Sequence, residues 1–213
     1  MMDDEDTEKT LSPEDPGDPF TELRRHANSS HAGKRRLNII LAAITEIVRE
    51  HRGPSSESTG ISCTEYFAGL MTSLEGSDLD SKADVLALLM MVLPHTPAAP
   101  LRAKFKPIAA SLLAAGQAFE AQETGAEDEG GGGSWSAPVR HLIEAVGIVL
   151  QCQSATLATW TAPAALQCLN FVLHHLEDRR AKVRRAAQAS VLRILDGHAS
   201  VTPLRERVFS LTA

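Results

Sequence analysis

The stretch that decides the fold runs Glu177-Asp-Arg-Arg-Ala-Lys-Val-Arg-Arg-Ala-Ala-Gln-Ala-Ser-Val-Leu-Arg-Ile-Leu195. Its apolar residues recur at helical spacing, at Val183, Ala187, Val191, Ile194 and Leu195. This spacing predicts a helix with one buried face, and the small Ala186-Ala187 pair would let a neighbouring helix approach closely. Asp178 precedes the helix, where its carboxylate is expected to cap free N–H groups of the first turn. Taken alone, the stretch is also compatible with an ordinary amphipathic helix.

The residues just upstream turn this helix into one half of a repeat. Pro163 suits the first turn of a helix because its missing N–H is no loss there. One face of that helix is then lined by Leu166, Leu169, Val172, Leu173 and Leu176. Helix, short turn and helix together make a unit of roughly 35 to 40 residues, which cannot bury its apolar face without neighbours. The sequence therefore predicts an all-α protein, a HEAT/armadillo-like α-solenoid of antiparallel helix pairs.

Composition, helix-capping residues and prolines extend this prediction along the chain. Aromatic residues make up only 4% of the 213 residues, which suits close helix packing better than a sheet. Helices are predicted over residues 36–51, 62–74, 83–93, 100–120 and 136–153. A Ser62–Glu65 capping box marks the start of the second, and a weaker Ser81–Asp84 signal marks the start of the third. Ser136 is expected to cap the fifth. Pro107 should interrupt the fourth near Ala103 or Lys104. A further helix is expected from Thr202-Pro203.

Four segments follow from these signals. Residues 1–33 are predicted to be a disordered acidic tail, because they combine Asp, Glu, Ser, Pro and Gly with few apolar side chains. Residues 36–120 form N-terminal helical repeats, and 121–134 form a flexible acidic and Gly-rich insertion. Residues 135–213 form C-terminal HEAT-like repeats that we expect to be truncated at Ala213.

The charge is unevenly distributed. Residues 1–33 hold nine acids against three bases and so account for all of the formal net charge of −6. By contrast, residues 179–207 carry eight Arg or Lys against Asp196 and Glu206. Such a surface can meet phosphate or an acidic partner, or it can be a solvated helix face with local ion pairs. The candidate binding residues are Arg179, Arg180, Lys182, Arg185 and Arg193, whereas Arg184 is expected to be structural.

Nothing in the sequence predicts catalysis. His174 and His175 are adjacent on a helix, so their side chains point about 100° apart and cannot share a metal. The three cysteines, Cys63, Cys152 and Cys168, lie far apart without metal-ligand spacing. No apolar run reaches the ~18 residues that a membrane span needs. We therefore expect a soluble, non-enzymatic protein without a cofactor, a metal or a small-molecule substrate.

Several segments resemble one family. The stretch Leu41-Ala-Ala-Ile-Thr-Glu-Ile-Val-Arg-Glu-His51, followed by Thr64-Glu-Tyr-Phe-Ala-Gly-Leu-Met-Thr-Ser-Leu-Glu75, is similar to the N-terminal region of the ribosomal RNA processing protein twelve family. So is the order of a helix like Val139–Gln153, Trp160, a helix, and Lys182-Val-Arg-Arg-Ala-Ala-Gln188. The chain is far shorter than members of that family, and the acidic Gly-rich insertion is a departure from its pattern.

The resemblance implies a nuclear and nucleolar scaffold in small-subunit ribosome assembly, pre-ribosomal RNA maturation and export of pre-ribosomal particles. It implies pre-ribosomal RNA or pre-ribosomal particle proteins as partners, together with nuclear transport factors and shuttling to the cytoplasm. The alternative is a general HEAT-repeat protein–protein adaptor without RNA binding, in which a peptide lies between repeats.

Overall fold

The computed structural model describes residues 18–52, 60–126 and 135–198, with side chains described as far as Gln122 in the second range. These residues form helices and connecting turns, with no strand among them. The helices are α1 (Thr21–Arg25), α2 (Ala32–Arg52), α3 (Cys63–Gly76), α4 (Leu79–Val92), α5 (Ala98–Ala103), α6 (Phe105–Ala126), α7 (Ser136–Gln151), α8 (Leu157–Thr161), α9 (Pro163–His174) and α10 (Ala181–Gly197). The prediction of an all-α fold is confirmed.

The helices stack in two layers. α4, α7 and α10 lie side by side in one layer, and α3, α6 and α9 form the other. Each helix of the first layer also packs on its partner in the second, which makes three successive pairs, while α2 covers both α3 and α4 at one end. Each pair thus shields the apolar face of its neighbour, as a helical solenoid requires.

Local signals place most helix boundaries. Ser62 caps α3 by accepting from the Glu65 N–H at 3.3 Å, and the Glu65 carboxylate accepts from the Ser62 N–H at 2.9 Å. The predicted capping box is therefore present. The chain also breaks at Lys104, between α5 and α6, where the ring of Pro107 removes one backbone donor.

Two predicted caps are wrong. α4 begins at Leu79 because the Asp78 carboxylate accepts from the Ser81 N–H at 2.8 Å, so Ser81 lies inside the helix. Asp84, predicted to complete a box with Ser81, instead accepts a hydrogen bond from Arg36 of α2. Ser136 is the first residue of α7 rather than its cap, since Trp135 holds the capping position with its ring 5.4 Å from that of Phe119.

The acidic tail is shorter than predicted. Phe20 is fully buried with its ring 5.0 Å from that of Tyr66 in an edge-to-face arrangement, and Leu23 is buried beside it. Arg24 donates to the Tyr66 hydroxyl at 2.8 Å. Two buried apolar side chains suffice to order this short segment, so the predicted disorder does not extend to residues 18–33. Residues 1–17 lie outside the described range.

The insertion is also shorter than predicted. α6 continues to Ala126, so residues 121–126 are helical rather than part of a flexible segment. A helix that is already nucleated adds residues at little cost, and Ala121 to Ala126 contain no proline to stop it. Residues 127–134 and the helix predicted from Thr202-Pro203 lie outside the described residues.

Candidate binding surfaces

The N-terminal end of α10 is organised by Asp178, although not as predicted. Arg180 is the capping residue and makes no side-chain cap bond. The Asp178 carboxylate accepts from the backbone N–H of Arg180 at 2.8 Å and from its Nε at 2.8 Å and Nη2 at 2.7 Å. These hydrogen bonds from Arg180 are the main reason that the pKa of Asp178 is lowered. Asp178 therefore fixes the loop and Arg180, rather than capping the helix.

Arg184, which was not among the candidates, contacts the backbone of the turn before α10. Its Nη1 donates to the backbone carbonyl of Asp178 at 2.8 Å and to that of Arg179 at 3.0 Å. The guanidinium thus ties the turn before α10 to the first turns of the helix. Arg184 is also half-buried, which limits its access to a partner.

The five candidate residues separate into two groups. Arg180 is held by Asp178, and both side chains are mostly buried. Arg193 is half-buried, and its Nη1 is enclosed without a hydrogen-bond partner among the described residues. Arg179, Lys182 and Arg185 are exposed, and the last two lie one turn apart on α10. The structure therefore presents three of the five candidates to solvent.

An exposed aliphatic residue accompanies these cations. Leu192 lies two turns beyond Arg185 and is 62% exposed, and Ala189 between them is exposed as well. Helical periodicity places all three on one side of α10. We call Arg179, Lys182, Arg185, Ala189 and Leu192 the α10 face. It is a mixed basic and apolar surface.

A second basic surface was missed from the sequence. Between Leu23 and Thr45 the chain has five Lys or Arg and two His without a single acid. The predicted boundary between the acidic tail and the N-terminal repeats, at residues 33–36, lies inside this run. The first half of the run therefore falls within the predicted tail. The absence of Asp and Glu over more than twenty residues indicates this surface in the sequence.

The structure places this run at the corner where α1 meets α2. Arg24 pairs with Asp18 at 2.9 Å, and Arg36 pairs with Asp84, so both are engaged. Arg25 pairs with Glu22 at 2.6 Å, and Arg35 donates to two backbone carbonyls of the loop. We give the name corner surface to Arg25, His26, His31, Lys34 and Arg35. All five side chains are exposed. Lys34 and Arg35 stand in the first turn of α2, which contains no acid.

The buried titratable side chains of the described residues include His175 and Cys168. His175 is buried, its Nδ1 lies 2.9 Å from the Phe171 carbonyl and its Nε2 lies 3.8 Å from Glu120 Oε1, whereas His174 is exposed. Burial raises the pKa of the Cys168 thiol to about 12. Within the described residues, no three His, Cys, Asp or Glu side chains are grouped so as to hold a metal ion. None of the described helices is long and apolar enough to cross a membrane.

Three stacked helix pairs define this molecule as a segment of a HEAT-type helical-repeat protein. The family model described as RRP12-like, N-terminal HEAT repeats matches residues 5–210. The chain therefore belongs to the RRP12-like family, within its N-terminal HEAT-repeat region.

Individual proteins of the same family are similar to this chain. The chain is 32% identical over 179 residues to the RRP12-like protein of Gallus gallus and 30% identical over 179 residues to that of Homo sapiens. Each match covers 84% of this chain but 12% of the relative. The RRP12-like protein of Drosophila melanogaster is 28% identical over 187 residues, again 12% of its length. No solved structure matches the chain.

Proposed function

We propose that this chain is a non-enzymatic scaffold segment that acts in small ribosomal subunit biogenesis, in pre-ribosomal RNA processing and in nuclear export of pre-ribosomal particles. Membership of the RRP12-like family is the observation that carries this proposal. The stacked helices support it, because a solenoid offers long surfaces for large partners rather than a deep pocket for a small substrate. The compartment that follows is the nucleus and nucleolus, with shuttling to the cytoplasm.

The α10 face is the partner-binding surface of the proposed scaffold. Arg179, Lys182 and Arg185 offer exposed positive charge, and Leu192 offers an apolar contact beside it. Protein interfaces combine such an apolar centre with a polar rim. The proposed partners are pre-ribosomal particle proteins and pre-ribosomal RNA, with nuclear transport factors as further partners. Arg180, which is held by Asp178, and the half-buried Arg193 are less accessible to the partner.

The proposal is tested in cells in which the full-length protein carries Lys182→Gln and Arg185→Gln. Sucrose-gradient sedimentation and hybridisation to precursors of the small-subunit RNA are measured. We expect weaker co-sedimentation with pre-ribosomal particles and accumulation of precursors. Lys104→Gln with Lys106→Gln, which removes two exposed charges elsewhere, is the matched control. Depletion of the whole protein without any accumulation of precursors would contradict the role in ribosome assembly.

The second candidate function is a protein–protein adaptor without RNA binding. Exposure of Leu192 on the α10 face favours it, because isolated phosphate contacts need no aliphatic side chain. Purification of the tagged protein from nuclear extract, with and without nuclease, separates the two. Partners that are lost with nuclease support RNA as the ligand, and partners that persist support the adaptor.

A further inference from the structure

We infer that the corner surface, formed by Arg25, His26, His31, Lys34 and Arg35, binds the phosphate backbone of RNA. The inference rests on the proposed ribosomal function and adds to it a second surface, distant in sequence from the α10 face. Neither the family match nor the relatives assign a role to this corner.

The corner carries several cations and few acids. Glu22 and Glu46 are the nearest acids before and after the run from Leu23 to Thr45, and Glu22 is the acid that contacts Arg25, at 2.6 Å. The cations at the start of α2 oppose the helix dipole, which favours negative charge at that end. An anion bound there would be attracted by the side chains and by the dipole together. The corner therefore concentrates exposed positive charge at the start of α2.

Small residues accompany the cations of the corner. From Arg24 to Arg36 no side chain other than those of the cations and His is larger than Asn, and the remaining residues are Ala, Asn, Ser and Gly. The nearest exposed aliphatic residue along α2 is Ile39, one turn beyond Arg35. Protein interfaces need buried apolar or aromatic anchors, whereas phosphate contacts come from Arg, Lys, small polar side chains and backbone N–H groups. The corner therefore suits RNA better than a protein.

Hydrogen bonds from Asn38 and Arg35 hold the corner in shape. Asn38 Nδ2 donates to the carbonyls of Leu23 and Lys34, each at 3.0 Å, and so joins the end of α1 to the start of α2. Arg35 Nη1 donates to the carbonyls of Ser29 and Ser30, each at 3.0 Å. The loop is thus braced before any ligand binds. A preorganised surface loses less conformational entropy on binding than a flexible one.

The two basic surfaces differ in kind. The α10 face mixes Lys182 and Arg185 with Leu192, and Asp196 follows one turn later. In the corner, Ile39 is exposed one turn beyond Arg35 and Glu22 pairs with Arg25, but no acid lies between Leu23 and Thr45. This difference in charge favours phosphate as the ligand of the corner. The two surfaces can also be tested separately.

The test measures binding of the full chain to a fluorescent RNA hairpin by anisotropy at several salt concentrations. Three charge-matched variants are compared: Arg25→Gln with Lys34→Gln at the corner, Lys182→Gln with Arg185→Gln on α10, and Lys104→Gln with Lys106→Gln as the control. Each lost phosphate contact should reduce the slope of log affinity against log salt by about one, so we expect a reduction of about two for the corner variant. Arg25→Lys with Lys34→Arg keeps the charge and should keep the affinity.

Every outcome bears on the inference. A fall in affinity for the corner variant alone supports the corner and removes RNA from the α10 face. A fall for the α10 variant alone overturns the corner while the proposed function stands. Equal falls for the corner and control variants would show an effect of net charge only and overturn it. Loss of binding to a polyglutamate peptide, with RNA binding intact, would assign the corner to an acidic protein instead.

Discussion

Gly147 of α7 lies directly against Ser190 of α10, so that a Cβ on residue 147 would stand 2.6 Å from Ser190 Oγ and 2.7 Å from Ser190 Cβ. Ser190 is fully buried, and its hydroxyl donates to the Ile143 carbonyl at 3.3 Å across the same interface. Small residues therefore allow α7 and α10 to approach closely at this point. Ala186 and Ala187 of α10 are buried as well.

We predict that Gly147→Ala destabilises the protein. The added methyl group must push α7 and α10 apart, and overpacking of this kind costs about 1–3 kcal/mol. The gain in helix propensity from Gly to Ala is at most about 1 kcal/mol and offsets only part of it. Urea unfolding followed by circular dichroism should show a lower midpoint.

Two further variants check that the contact with Ser190 is the cause. Ser190→Gly removes both atoms that lie within 3 Å, so the double variant should recover part of the loss, with a favourable coupling energy. Gly33→Ala places its methyl group where no atom lies within 4 Å and should not lower the midpoint. A midpoint for Gly147→Ala equal to that of Gly33→Ala would refute the steric argument.

Glu65→Gln should lower stability at neutral pH by about 1–2 kcal/mol, because charged hydrogen bonds exceed neutral ones in strength. Arg52 donates to Glu65 from Nε at 2.6 Å and from Nη2 at 2.8 Å. These bonds, and then those from Ser62, lower the pKa of Glu65 from 4.5 to about 2.

The sign of the pH effect follows from that shift. A carboxyl whose pKa is lower in the folded state stabilises the fold above its unfolded pKa and loses this contribution as the pH falls. The difference in unfolding free energy between wild type and Glu65→Gln should therefore shrink between pH 4.5 and about 2. Glu46→Gln is the control, since its pair with Arg49 is exposed and should contribute little. A constant difference across that range would contradict the prediction.

Arg180→Ala should destabilise the protein, whereas Arg185→Ala should not. Without Arg180 the mostly buried Asp178 carboxylate loses its charged partner, which costs about 1–3 kcal/mol. Arg185 is exposed, and substitutions at such positions usually change stability by less than about 0.5 kcal/mol. Thermal unfolding measures both. Equal stability of the two variants would return Arg180 to the candidate binding residues.

Phe20→Ala should release α1 from α3. The buried ring against Tyr66 is the largest apolar contact of this short helix, and its loss removes the main reason for docking. Because α1 lies at the edge of the structure, the effect should appear as faster hydrogen exchange of the amides of residues 21–26. Glu22→Ala, on the exposed side of the same helix, should leave exchange unchanged. Slow exchange in Phe20→Ala would show that other contacts hold α1.

Apolar periodicity, caps and proline breaks predict helices well here, because each depends on interactions between residues a few positions apart. The Ser62–Glu65 box and the break before Pro107 depend on backbone groups one turn apart, and both lie where the sequence indicates. The caps at Asp78 and Trp135 were missed because several residues could fill the role. Asp84 was misassigned because its partner, Arg36, lies on a helix forty-eight positions earlier.

For the candidate site, the sequence predicts which residues are basic but not which of them are exposed. A run of Arg and Lys near α10 is visible in the sequence, but the burial of Arg180 and Arg193 is not, since it depends on where Asp178 and the neighbouring helices lie. Phe20 illustrates the same limit, because a single aromatic in an acidic segment gives no sign of the pocket beside Tyr66.

The amino-acid order alone determined that this chain forms amphipathic helices in pairs, since helical periodicity, caps and proline breaks are short-range properties of the backbone. Tertiary structure alone decided which cations reach solvent, which acids they pair with, and that α1 meets α2 to form a basic corner. Those outcomes depend on contacts between residues far apart in the chain, whose distances only the packed helices fix.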